Sequence, residues 1–218
     1  MPSSEFMPSL SRKIKLHARV DNQTMRKIFL KNAAAIFFSV LGLSACQPSL
    51  NWRNVQMPET TLSFELPCKP DKTTKPVSMA GQTLELSVVG CEADDAVWAV
   101  MSAKLSADAD RTELLKGWRQ ATLQNMRANQ IEDATWMPAR MTALPGALRL
   151  KAIGTTAKGE PVRAHAVWFA HLEGDSVRVV HAVVYQNQGH KKDLKQDQKY
   201  DPKQSQSADL LIESMKLP

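Results

Sequence analysis

Two long β-forming runs separated by a Gly-Asp turn constrain this chain more than any other feature. Pro161 to Leu172 and Ser176 to Gln186 are joined at Glu173-Gly174-Asp175, and the second run carries Val177, Val179, Val180, Val183, Val184 and Tyr185. Glycine and aspartate accept the left-handed backbone that a tight hairpin demands, so the pair predicts a β-hairpin. If Gly174-Asp175 is a two-residue turn, His171 faces Arg178 and His181 faces Trp168. Side chains alternate along a strand, so His165 and His171 then share one face and His181 takes the other.

The remaining elements are read around that hairpin. Leu62, Phe64 and Leu66 alternate with polar neighbours over Thr61 to Leu66, and Pro67 ends that strand. Lys69 to Met79 reads as a loop. Strands follow over Gln82 to Cys91 and Ala96 to Leu105, divided by the acidic turn Glu92-Ala93-Asp94-Asp95. The second has apolar residues on both faces, as an internal strand would. Asp110 and Glu113 have the spacing of a capping box. Leu114, Leu115, Trp118, Ala121, Thr122 and Met126 then form one stripe of a long helix over about 110–129. Thr135 to Ala143 is a strand candidate, Leu144-Pro145-Gly146-Ala147 a type II turn, and Ala147 to Thr156 a further strand before the turn Lys158-Gly159-Glu160. Residues 187–207 are rich in Lys, Gln and Asp and read as a mobile loop, in which Lys191, Lys192, Lys195, Lys199 and Lys203 are diluted by Asp193, Asp197 and Asp201. A short helix capped by Ser207 closes the chain over Ala208 to Met215. The fold class is therefore α+β: an antiparallel β-sheet packed against one long helix and a short C-terminal helix.

The formal charge of +6 invites comparison with nucleic-acid binders until it is divided. Residues 1–46 hold seven Lys/Arg against Glu5 and Asp21, and the rest of the chain is close to neutral. A near-neutral body offers no stripe for a phosphate backbone, so nucleic acid is not an expected partner. The basic residues instead introduce a second feature. Met25-Arg26-Lys27 opens a basic segment, Ala33 to Leu43 is an apolar run, and Ser44-Ala45-Cys46 follows. Such a run is too short to span a bilayer, which takes about 20 apolar residues, and fits a cleaved secretory signal.

Leu43-Ser44-Ala45-Cys46 resembles the bacterial lipobox. The resemblance implies that the Cys46 thiol receives acyl chains such as palmitate, that the signal is cut just before it, and that the mature chain is held at a membrane. Several acyl chains at about 0.8 kcal/mol per buried methylene make a stable anchor, where one alone is marginal. Lipoprotein sorting that retains Asp after the cysteine in the inner membrane would send a chain with Gln47 to the outer membrane, facing the periplasm. Residues 1–24 precede this signal as an over-extended start, with Met25 the initiator, or as a long n-region; residues 25–45 are the signal, 46–60 a lipid-anchored tether with Pro48 and Pro58, and 61–218 one α+β domain.

With Cys46 lipidated, Cys68 and Cys91 remain as an even pair in an exported chain, which predicts a disulfide. A redox or metal role is the rival, and it lacks both a Cys-x-x-Cys spacing and a nearby cysteine–histidine cluster. The hairpin histidines are the other candidate metal ligands, and the two-residue turn leaves too few of them together. No cofactor is expected. No Gly-x-Ser-x-Gly, Ser-x-x-Lys or His-Glu-x-x-His pattern occurs, and the acid pairs Asp94/Asp95 and Glu132/Asp133 read as turn residues. Among five tryptophans, Trp52 and Trp136 are the ones set apart as candidate surface contacts.

Leu62-Ser63-Phe64-Glu65-Leu66-Pro67-Cys68-Lys69-Pro70, the hairpin, the helix and the Leu144-Pro145-Gly146 turn are similar to small bacterial lipoproteins with a PsbP-like α/β/α fold. That resemblance implies a sandwich domain acting as an accessory factor, and it transfers no catalytic residue. The resulting expectation is a non-catalytic binding or envelope-assembly module with a protein partner in the envelope. A small-ligand or metal binder and an envelope hydrolase without a recognisable motif are the alternatives.

Overall fold

Seven antiparallel strands are built outward from the Gly174 turn. The computed structural model describes residues 50–79, 81–106, 109–187 and 202–217. In chain order the elements are β1 (Arg53–Gln56), β2 (Ser63–Leu66), β3 (Asp71–Met79), β4 (Gln82–Ala93), β5 (Ala96–Lys104), α1 (Arg111–Asn125), β6 (Gln130–Thr135), β7 (Leu148–Thr155), β8 (Pro161–Glu173), β9 (Ser176–Asn187) and α2 (Pro202–Ser214). The large sheet has the order β3-β4-β5-β9-β8-β7-β6, while β1 and β2 form a separate hairpin. The β8–β9 register pairs His171 with Arg178 and Trp168 with His181, as the two-residue turn requires. Gly174 sits at φ 59°, where a Cβ would be strained.

Both faces of β8 and β9 are covered, which explains their near-continuous apolar sequence. One face buries Leu114, Leu115 and Trp118 of α1 against Ala164, Ala166, Trp168, Val179 and Val183. The other buries Phe64 and Leu66 of β2 and Leu211, Ile212 and Met215 around α2 against Trp98, Val100, Val167, Phe169 and Val180. Cys68 and Cys91 are disulfide-bonded, with their Cα atoms 6.0 Å apart, and so tie the chain after β2 to the sheet.

An antiparallel sheet with helices is what the sequence predicts, but a single long helix is not what forms. The helix α1 has 15 residues and α2 has 13. Asp110 caps α1 as expected, accepting from the backbone N–H groups of Thr112 and Glu113 at 2.9 and 3.1 Å. The helix stops at Asn125, short of 129, because Arg127 turns to φ 45° and the chain swings onto β7. There the N–H of Thr155 donates to the Met126 carbonyl at 2.7 Å and that of Asn129 to Ile153 at 2.9 Å. Of the predicted stripe, Ala121 is exposed and the others are buried.

Four further expectations are corrected. Lys69 to Met79 is not a loop: Asp71–Met79 is the edge strand β3, whose outward polar residues lack the alternation that marks a half-buried strand. The strand expected at Thr135 to Ala143 lies earlier, as the fully exposed β6. Its position at the opposite sheet edge removes the need for an apolar face. The end of the 46–60 tether carries β1, and Val55 and Met57 are buried in the core. Finally, α2 begins at Pro202, within the segment read as a mobile loop and ahead of the Ser207 cap; proline suits a first helical turn because its missing N–H has no partner there anyway. The run Lys191, Lys192, Lys195 and Lys199 lies outside the described residues, as do Cys46 and the whole signal segment.

Candidate functional site

The β8–β9 turn, the β1–β2 turn and the loop before β7 converge at one end of the sheet. Their backbone must leave the ladder there, and two adjoining hollows form between them. One, of about 570 Å³, is bounded by Gln56 to Thr61, Lys72 and Glu173. The other, of about 750 Å³, lies between Arg140, Met141, Leu144, Leu172, Glu173 and Leu217. Thr61 and Glu173 are the wall common to both.

That wall is held by fixed charges. Arg178 donates from Nε to Glu173 Oε2 at 2.6 Å and from its terminal nitrogen to the Glu59 carbonyl at 3.1 Å. The Thr61 N–H donates to Glu173 Oε1 at 3.2 Å. Burial pushes the Glu173 carboxyl up, but the hydrogen bond and charge of Arg178, with Thr61 assisting, hold it below its ordinary value. Both oxygens are thus engaged, which suits a structural carboxylate more than a proton carrier. Leu172 on the rim is 62% exposed, and the surface beside it mixes an apolar side chain with the Arg140 cation. This combination can hold a ligand or peptide that is part apolar and part anionic.

A second polar cluster fastens α2. Arg149 donates from Nε to His165 Nε2 at 2.8 Å and pairs through its terminal nitrogen with Asp209. His165 Nδ1 lies 3.4 Å from Asp209 Oδ1 but off the line of a hydrogen bond, so that edge of the ring is unsatisfied. Burial, then the charges of Arg149 and Lys151, lower the His165 pKa to about 3, leaving a neutral ring that accepts from arginine. Burial likewise raises the Asp209 carboxyl despite Arg149.

The third histidine stands apart on the α1 face. His181 stacks on Trp168 with centroids 4.4 Å apart and meets the edge of Trp118 at 5.2 Å. Neither ring nitrogen has a hydrogen-bond partner, and burial lowers its pKa to about 3. His171 points to the opposite face, with Nδ1 3.1 Å from the Leu172 carbonyl. The division of the three histidines between faces is the one the hairpin register implies. Among the described residues, no three His, Cys, Asp or Glu side chains converge as a metal ion would need.

The other sequence candidates are dispersed. Asp94 and Asp95 occupy the β4–β5 turn at φ 54° and 57°, and Asp133 pairs with Arg119 of α1. Trp52 packs edge-on against Trp98 at 5.7 Å and Trp136 leans on Phe169 at 5.7 Å, each half-buried. Neither Glu173 with Arg178 nor Arg149 with Asp209 is flagged by a motif. The first pair shares a hairpin and could be found from its register, whereas 60 residues separate the second. No helix among the described residues is long and apolar enough to cross a membrane. No protein-family model matches the chain, and no curated protein matches it.

Proposed function

We propose that this chain is a lipoprotein, anchored in the outer membrane through acylated Cys46, whose periplasmic domain is a non-catalytic binding or assembly module. The observation that carries this reading is Leu43-Ser44-Ala45-Cys46 at the end of an apolar run behind a basic segment. The paired Cys68 and Cys91 support export, because such bonds persist in oxidising compartments. Binding in preference to catalysis is supported by the groove at Thr61 and Glu173, where the carboxylate is committed to Arg178 and the rim offers Leu172 and Arg140. A PsbP-like sandwich is the finer fold reading. Its support is the placement of α1 on one face of the antiparallel sheet and of α2 with the β1–β2 hairpin on the other.

The test is intact mass of the native protein extracted from membranes, beside its Cys46→Ala form. A native chain beginning at Cys46 and carrying acyl mass absent from the variant is the expected result. A native chain without acyl mass overturns the anchor and the address together.

A further inference from the structure

Cys46 is separated by only a few residues from the first strand of the domain. Asn51 already donates its N–H to the Pro67 carbonyl at 2.7 Å, and Trp52 is packed on Trp98. Five residue steps separate Cys46 from Asn51, a reach of at most about 17 Å even fully extended. The β1–β2 hairpin fixes which end of the domain this is. Its turn meets Glu173 at the groove, so its open end, with Trp52 and Cys68, lies at the other end of the sheet. There Cys68 is bonded to Cys91 next to the Asp94–Asp95 turn, and the Asn187 N–H donates to the Asp95 carbonyl at 3.1 Å. The Lys158–Gly159 turn between β7 and β8 belongs to the same end. From Pro161 to Glu173, β8 runs the length of the sheet, about 40 Å at 3.3 Å per residue.

We propose that the end of the sheet bearing Trp52, Lys158 and the Asp94–Asp95 turn faces the bilayer surface, and that the Thr61–Glu173 groove points away from it. This rests on the lipid-anchor reading above. A reach of under half the sheet length keeps the Trp52 end beside the headgroups. That end also carries half-buried Trp52, an amphipathic ring suited to the interface; its exposed cations Arg53, Lys69 and Lys158 are offset by exposed Glu92, Asp94, Asp95 and Glu160, so the short tether and the indole, and not net charge, set the orientation. The partner at this end is the bilayer itself, and the groove is presented across the periplasm.

The experiment uses the full acylated protein in vesicles of phosphatidylethanolamine and phosphatidylglycerol, with a dye attached at Ala157→Cys or at Asp175→Cys, both exposed turn positions. A quencher carried on lipid headgroups should dim the Ala157 label several-fold more than the Asp175 label. Equal quenching, or stronger quenching at Asp175, overturns the orientation. Flotation of the same samples beside Cys46→Ala separates the two ideas. Protein that floats but quenches equally defeats the orientation alone, and protein that fails to float with Cys46 intact defeats the anchor and the orientation with it.

Discussion

His181 holds both ring nitrogens without partners between two indoles, a costly arrangement that a phenyl ring would relieve. An unmet buried polar group costs about 1–3 kcal/mol. His181→Phe is therefore expected to leave stability at pH 7 unchanged or raise it by about 1 kcal/mol, measured by urea unfolding. Its pH dependence has a definite sign. The unfolded ring takes a proton near 6.5 and the folded one near 3, so the contribution is complete above 6.5 and is lost as pH falls toward 3. The variant should show a shallower loss over that window, and an unchanged profile would refute the role given to His181. Glu173 acts in the same direction, its lowered carboxyl contributing at neutral pH and losing that contribution in acid. Glu173→Gln strips the carboxylate from an Arg178 side chain only 7% exposed. A loss of about 1–3 kcal/mol is expected at pH 7, since an unpaired buried guanidinium is expensive.

At the scale of elements, the α1–β7 junction depends on Gly154. A Cβ there would overlap the Met126 carbonyl oxygen and lie 3.1 Å from the Ala128 Cα, both backbone atoms that cannot step aside cheaply. Gly154→Ala should cost about 1–3 kcal/mol and lower the melting temperature, whereas Gly117→Ala on open helix surface should be neutral or mildly stabilising. The β8–β9 register was readable to the residue because one turn geometry and a two-sided apolar pattern agree. The N-terminus of α1 was readable because Asp110 announces it. The edges β3 and β6 were not, since an outward-facing strand needs no alternation and theirs is filled by Thr, Lys, Glu and Asp. The second cluster was hidden for another reason: Asp209 meets Arg149 only after the sheet has closed and α2 has docked, and nothing local to either residue encodes that meeting.

For the whole molecule, the Cys68–Cys91 bond joins the β1–β2 layer to the sheet across a 23-residue separation. Closing a loop of that size restricts the unfolded chain by about 3 kcal/mol on the loop-entropy view. Reduction, or the Cys68→Ala/Cys91→Ala double change, is expected to lower the unfolding free energy by about that amount, read by denaturation with and without reductant. A fold indifferent to reductant would mean that the buried Phe64, Leu66 and Trp98 contacts suffice alone. The sheet's borders carry a separate consequence. Pro76 sits within β3, opposite Glu85, and has no N–H to offer any neighbour, while Lys72 and Lys75 crowd the same border. A second molecule approaching that border finds its ladder interrupted halfway along. Two copies meeting through β6 would bring exposed Glu132 against its own kind. Molecules crowded side by side can therefore stay separate, and polymerisation through continued strand addition is blocked at each border by a different device.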